Sequence, residues 1–263
     1  MTSRVGQYDI YLNTPATGSI LAAQAGLEEM DGVLRRCEFR YSDQYLAHPR
    51  AFAFDPVQLP LRPGTMTLAC RAGGQPGILD DYLPDAWGRR VLAQLVFYSR
   101  GQRIAQHSAL DLLSWTDISH IGALEWVPRG GAPKFTVGAP LSQLAAADEA
   151  AERVDAGVPP HDSNAFGLVF LANAGSGAGG ARPKALLHDS GGVLENENTD
   201  PGERATAAGR TFLAKFNRGS ADPYNNARVE LACLRMAEAA GIQTATGSVT
   251  AGVQGREVLL LDR

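Results

Sequence analysis

A glycine run that leads into a strand rather than a helix is what most restricts this chain. Gly175-Ser176-Gly177-Ala178-Gly179-Gly180-Ala181-Arg182-Pro183-Lys184 packs four glycines, a hydroxyl and two cations into ten residues. Glycines let several backbone N–H groups turn toward one anion, and Arg182 or Lys184 would supply full positive charge, so the loop suits a phosphate. Lys184-Ala185-Leu186-Leu187-His188 reads as a short strand, Asp189-Ser190-Gly191-Gly192 as a turn, and the apolar segment Phe166–Ala172 as the strand before the loop. The glycines therefore sit between two strands of an antiparallel hairpin. Gly175, Gly177 and Gly180 fit the spacing GxGxxG, but its dinucleotide-binding use needs a helix directly after the loop. The ATPase pattern GxxxxGK[ST] fails too, because Pro183 precedes Lys184 and Ala185 follows it.

What remains is the strand–loop–strand arrangement that covers nucleotide phosphates in protein-kinase-like enzymes, which also requires a strand lysine and a helix glutamate downstream. Both are present. Thr211–Phe216 alternates so that Leu213 and Lys215 share one face, with Phe212, Ala214 and Phe216 on the other. A helix is expected from an Asp222-Pro223 start to Gly241, with Val229, Ala232, Cys233, Met236 and Ala237 as its apolar stripe. Glu230 lies on a neighbouring face beside Ala227, Leu234 and Ala237, where a partly buried carboxylate needs a cation, and Lys215 is the natural one. Asn225 and Asn226 read as turn and capping groups. Strands at Ser248–Val253 and Glu257–Leu261 complete the sheet.

The part before this lobe is mixed. Strands are expected at Tyr8–Leu12, Cys37–Tyr41 and Ala51–Phe54, a helix led by Asp80–Arg90 with Pro84 near its first turn, and a second helix over Ala109–Trp115. Trp87, Val91, Leu92, Leu95 and Val96 make the apolar stripe of the first helix. A small-residue stretch from Pro128 to Pro140 separates two blocks, taken as domains 1–130 and 131–263, and the second opens on an alanine-rich helix from Ser142 to Ala156 ended by Gly157. The net charge of −4 gives no global reason to expect nucleic acid or an anionic membrane as partner. The start lacks a signal-peptide core and no apolar run reaches bilayer length, which makes the expected location cytoplasmic. Cys37, Cys70 and Cys233, odd in number and far apart, read as reduced thiols rather than a disulfide or zinc framework.

In combination these segments resemble the HipA-like toxin kinases, serine/threonine kinases of bacterial toxin–antitoxin systems. Gly179–Ala185 looks like the family's glycine-loop signature, Phe212–Phe216 like its ATP-lysine strand and Asn226–Glu230 like its helix signature. Leu79–Asp85 is similar to the family's leucine-proline-aspartate helix start and Ile121–Leu124 to another segment of its N-terminal part. The resemblance implies an α+β fold: a mixed α/β N-terminal subdomain followed by a protein-kinase-like N-lobe with an antiparallel sheet, a glycine-rich loop and one main helix. It implies transfer of the γ-phosphate of ATP, with magnesium, to a protein hydroxyl. Gly175, Ser176, Gly177, Gly179, Gly180, Lys184, Lys215 and Glu230 would bind the nucleotide, and Leu261, Asp262 and Arg263 resemble the start of the hinge that meets adenine. Ser176 is the candidate for the family's autophosphorylated loop serine, although counting back from Lys184 puts Gly177 at the family's serine position.

The implied partners are a DNA-binding antitoxin of the same operon and a protein substrate such as an aminoacyl-tRNA synthetase, with no direct nucleic acid and no membrane. A kinase also needs a catalytic aspartate and metal-binding Asn and Asp residues downstream of the lysine and glutamate. After Glu230 the only carboxylate side chains are Glu238, Glu257 and Asp262, in no such context. The metal ligands are therefore expected in a C-terminal lobe, and the chain alone is expected to be inactive. The alternative reading is a non-catalytic module that engages a partner kinase lobe or the antitoxin.

Overall fold

The structure, a computed structural model, describes residues 2–14, 18–70, 74–115, 122–133, 139–158, 171, 182–189, 210–218 and 222–262. The expected glycine loop Gly175–Ala181, Ile121 and Arg263 lie outside the described residues, as does the expected Phe166–Ala172 strand apart from Leu171, which is buried and helical rather than extended. The fold is α+β, mixed helices with two largely antiparallel sheets. It divides into two compact units, residues 1–84 with 104–135 and residues 85–103 with 136–263.

The first unit is a five-stranded antiparallel sheet in the order β4-β3-β2-β1-β5, built from β1 (Ser3–Thr14), β2 (Gly18–Met30), β3 (Val33–Tyr41), β4 (Met66–Leu68) and β5 (Leu124–Pro128). The 13-residue β2 is a strand the sequence reading missed, because its central Ala22-Ala23-Gln24-Ala25-Gly26 has little β-propensity and takes its place by pairing on both sides with β1 and β3. Residues 51–54 were expected as a strand and form none. Phe52 and Phe54 instead cluster with Tyr41 and Tyr45 from β3 and the short α1 (Asp43–Leu46). The Tyr41 hydroxyl donates to the Leu59 carbonyl at 2.8 Å and accepts from the Phe54 N–H at 2.9 Å, so it supplies partners that a ladder would otherwise supply.

The helix expected to start near Pro84 is α3 (Ala86–Arg100), and a separate short α2 (Gly77–Tyr82) precedes the proline. The residue before a proline is pushed out of the helical region, and Leu83 is extended at φ −69°, ψ 153°. Asp85 then caps α3 by accepting from the Gly88 N–H at 2.7 Å. α4 (Ala109–Leu113) is capped by Ser108, and both it and the N–H of Leu110 donate to the fully buried Glu29, at 2.7 and 3.0 Å.

Cys37 is fully buried in β3 and burial pushes its thiol up to about 12, whereas Cys233 is exposed on a helix of the second unit. Iodoacetamide at pH 8 should therefore modify Cys233 and spare Cys37 until the protein is unfolded, read by peptide mass spectrometry; modification of both at equal rates would contradict the packing of β3.

The second unit's sheet has the order β6-β7-β8-β10-β9, from β6 (Ala139–Pro140), β7 (Lys184–Asp189), β8 (Arg210–Phe216), β9 (Gly247–Ala251) and β10 (Glu257–Asp262). All pairs are antiparallel except the two-residue β6, which runs parallel to β7. α5 (Leu144–Ala156) starts after a 3-10 turn and ends at Gly157, whose φ of 66° is the left-handed C-cap geometry that glycine adopts without strain. It packs on β7 and α3. Its buried Asp148 meets the turn between β9 and β10, accepting from the Val253 N–H at 2.8 Å and lying 3.1 Å from the buried Arg256 guanidinium. A Cβ on Gly252 would come 2.3 Å from the Asp148 carboxylate, so only glycine lets this turn close on α5. Burial pushes the Asp148 carboxyl up from its ordinary value, against the pull of the Val253 N–H and of Arg256.

α6 (Asn226–Ala239) begins three residues later than expected. Asn225, not Asp222, is the N-cap: its side-chain oxygen accepts from the Arg228 N–H at 3.1 Å and from Asn217 at 2.9 Å. Ala227 packs with Leu259 and Leu261 of β10, and Leu213, Leu231, Leu234 and Val249 close around them. The expected core stripe of Val229, Ala232, Cys233 and Met236 is exposed. Two apolar stripes run along α6, and the one that shares a side with Glu230 is the one that meets the sheet.

Candidate nucleotide site

β8 alternates as its sequence dictates. Phe212, Ala214 and Phe216 are buried, while Leu213 and Lys215 emerge on the side that receives α6. There Lys215 Nζ pairs with Glu230 Oε1 one turn into α6. The pair is not sealed, since 35% of the Lys215 side chain and 40% of the Glu230 side chain stay open to solvent. An ammonium has three N–H donors, so one carboxylate leaves donors available to a phosphate.

The neighbouring strand brings a second cation. Lys184 stands directly opposite Lys215 in the β7–β8 ladder. Its side chain, 4% exposed, reaches the cap of α3, where Nζ lies 2.7 Å from Asp85 Oδ2 and donates to the Arg182 carbonyl at 3.3 Å. The indole N–H of Trp87 in α3 donates to the Lys184 carbonyl at 3.3 Å. Desolvation lowers the Lys184 pKa and the like charge of Lys215 adds to that, with Asp85 opposing both. Asp85 is thus the carboxylate that favours the charged form of this buried lysine.

Arg182, at the described end of the glycine segment, donates from Nη2 to both carboxylate oxygens of Asp222, each at 2.6 Å, and the Arg218 N–H donates to the same carboxylate at 2.9 Å. Burial opposes ionisation of Asp222, but these donors outweigh it and hold the carboxyl below its ordinary value. The chain entering β7 is thereby fixed to the segment that leads into α6.

At the far end of the sheet, Leu261 is buried against α6, and the Asp262 carboxylate accepts from Thr246 at 2.8 Å and from Arg210 at 2.5 Å. Those two hydrogen bonds, Thr246 first, lower its pKa. Of the expected site residues, the structure thus joins Lys215 to Glu230 and sets Lys184 across from them. Leu261 and Asp262 end β10, the strand paired with β8. Gly175, Ser176, Gly177, Gly179, Gly180 and Arg263 lie outside the described residues. The tie of Lys184 to Asp85 was missed, although Asp85 stood in the sequence as a helix-start acid and Lys184 as a lysine in an otherwise apolar run. Among the described residues no group of three or more His, Cys, Asp or Glu side chains could hold a metal ion, and no helix is long and apolar enough to cross a membrane.

The second unit is thus an α+β lobe in which a strand lysine is held by a glutamate from a helix packed on its sheet, and the sequence comparisons place the chain more closely. The HipA N-terminal domain profile matches residues 9–127, and that of the HipA-like C-terminal domain matches residues 176–263. The chain belongs to the HipA-like family of toxin–antitoxin proteins. No curated relative matches it.

Proposed function

We propose that the chain is the nucleotide-binding portion of a HipA-like serine/threonine protein kinase, in which Lys215, oriented by Glu230, holds the α and β phosphates of ATP. The observation that carries this reading is the ion pair from β8 to α6. A lone ammonium on a strand swings through many rotamers, whereas one tethered to a helix carboxylate is presented in one place. The donor set fits the group: Lys215 is partly open, and the glycine segment enters β7, the strand beside it. ATP would bring its own magnesium and the transferable phosphoryl group.

By family, a DNA-binding antitoxin of the same operon is the partner and a protein such as an aminoacyl-tRNA synthetase the substrate. Ser176 is the loop serine open to autophosphorylation. The alternative, a non-catalytic module that engages a partner kinase lobe or the antitoxin, draws support from the apolar side chains exposed on α6.

Adding ATP with magnesium should raise the thermal unfolding midpoint of the chain, by about 2.7 kcal/mol of linkage at one hundred times Kd. An unchanged midpoint at millimolar nucleotide would remove the nucleotide-binding reading and leave the binding module.

A further inference from the structure

α6 makes a second recess on the side away from Glu230. Leu231, Ala232 and Val249 of β9 floor a groove of about 500 Å³, with Arg228, Arg235 and Glu257 around it. The charges at its two ends are not alike. Arg228 is spent in a two-pronged contact with Glu257, its Nε and Nη2 each 2.6 Å from a carboxylate oxygen. Arg235, two helical turns further along the same face, is exposed, and among the described residues no carboxylate pairs with it. The outward stripe of the same helix leaves Val229 45% and Met236 65% exposed. Apolar side chains gathered in this way on one face mark an interaction surface.

We propose that this groove docks a peptide segment of a partner protein that carries an apolar side chain for the Leu231–Val249 floor and a carboxylate for Arg235. Charge complementarity chooses the occupant. The floor excludes a purely charged ligand, and a single unmatched cation is too little for a polyanion such as a nucleic acid, whose binding draws on many phosphate contacts. An aliphatic or aromatic side chain buries its area on the floor, while the guanidinium takes a carboxylate in its two-pronged geometry. α6 also carries Glu230, so an occupant of the groove and a nucleotide would press on opposite sides of one helix.

The test needs no nucleotide, so it stands or falls separately from the reading above. The probe is a fluorescein-labelled 12-residue peptide with two phenylalanines and three glutamates, compared by fluorescence anisotropy with the same peptide carrying lysines for the glutamates. The acidic peptide should bind the native chain about tenfold more tightly than the basic one. Arg235→Glu, a change at an exposed side chain, should reverse that order, and Ala232→Glu, at another exposed position lining the groove, should abolish binding of the acidic peptide with circular dichroism unchanged. An acidic peptide that fails to bind, or that binds native and Arg235→Glu chains equally well, would overturn the proposal.

Discussion

Lys215→Ala is expected to weaken ATP–magnesium binding roughly 10- to 150-fold, the equivalent of about 1.5–3 kcal/mol for hydrogen bonds to a charged group. Its effect on the fold should be small. The Lys215–Glu230 pair is more than a third exposed on both sides, and such a pair contributes on the order of 0–1 kcal/mol, because solvent screens it and two long side chains must be held still. The two quantities therefore separate: the unfolding midpoint without nucleotide moves by only a few degrees while the nucleotide-induced rise disappears. Glu230→Gln should sit between native and Lys215→Ala, since it keeps the ammonium and loosens only its aim. Isothermal titration and differential scanning fluorimetry on the three chains check this. Equal ATP affinity in native and Lys215→Ala protein would remove Lys215 from the site whatever the melting data show.

Asp85→Ala should be far more costly to stability, about 3–5 kcal/mol for removing the carboxylate beside the buried Lys184 ammonium and about 1 kcal/mol more for the lost cap of α3. In a unit of this size the total corresponds to a fall in midpoint on the order of 10 °C or more. Asp85→Asn keeps an oxygen for the Gly88 N–H and removes only the charge, so it isolates the first contribution. The pH dependence has a definite sign. Lys184 already titrates below its ordinary value of 10.5 in the folded protein, and losing Asp85 lowers it further. Between the folded value and 10.5 the unfolded chain binds more protons, so stability rises with pH across that window and the deficit of Asp85→Asn shrinks as pH climbs toward 10. Chemical denaturation at pH 7 and pH 9.5 measures it. A deficit that grows with pH would mean that Lys184 does not depend on Asp85.

These two lysines also show what a sequence can disclose. Lys215 is legible because its strand alternates cleanly and a helical glutamate waits at the right distance downstream; both signals are local periodicities. Lys184 sits in a run that is buried on both sides of the strand, where alternation vanishes, and its partner lies far upstream at a helix cap. No local pattern records that meeting, only the folded topology. The same limit hid β2, whose alanines become a strand through their neighbours, and it misjudged α6, where hydrophobicity alone cannot say which of two apolar stripes faces the sheet. The Glu230 carboxylate decides it, because it must stand on the side where Lys215 emerges.

The opposition of Lys184 and Lys215 in the β7–β8 ladder has a further consequence, for assembly rather than binding. Each ammonium is claimed by a different helix, one through Asp85 at the head of α3 and the other through Glu230 in α6. Sliding either strand by one residue would turn its lysine to the opposite face, leaving one cation trapped in the core and one carboxylate unanswered. The two charges thus act as a key cut on both edges, which admits the hairpin in one alignment and ties the placement of two helices to it.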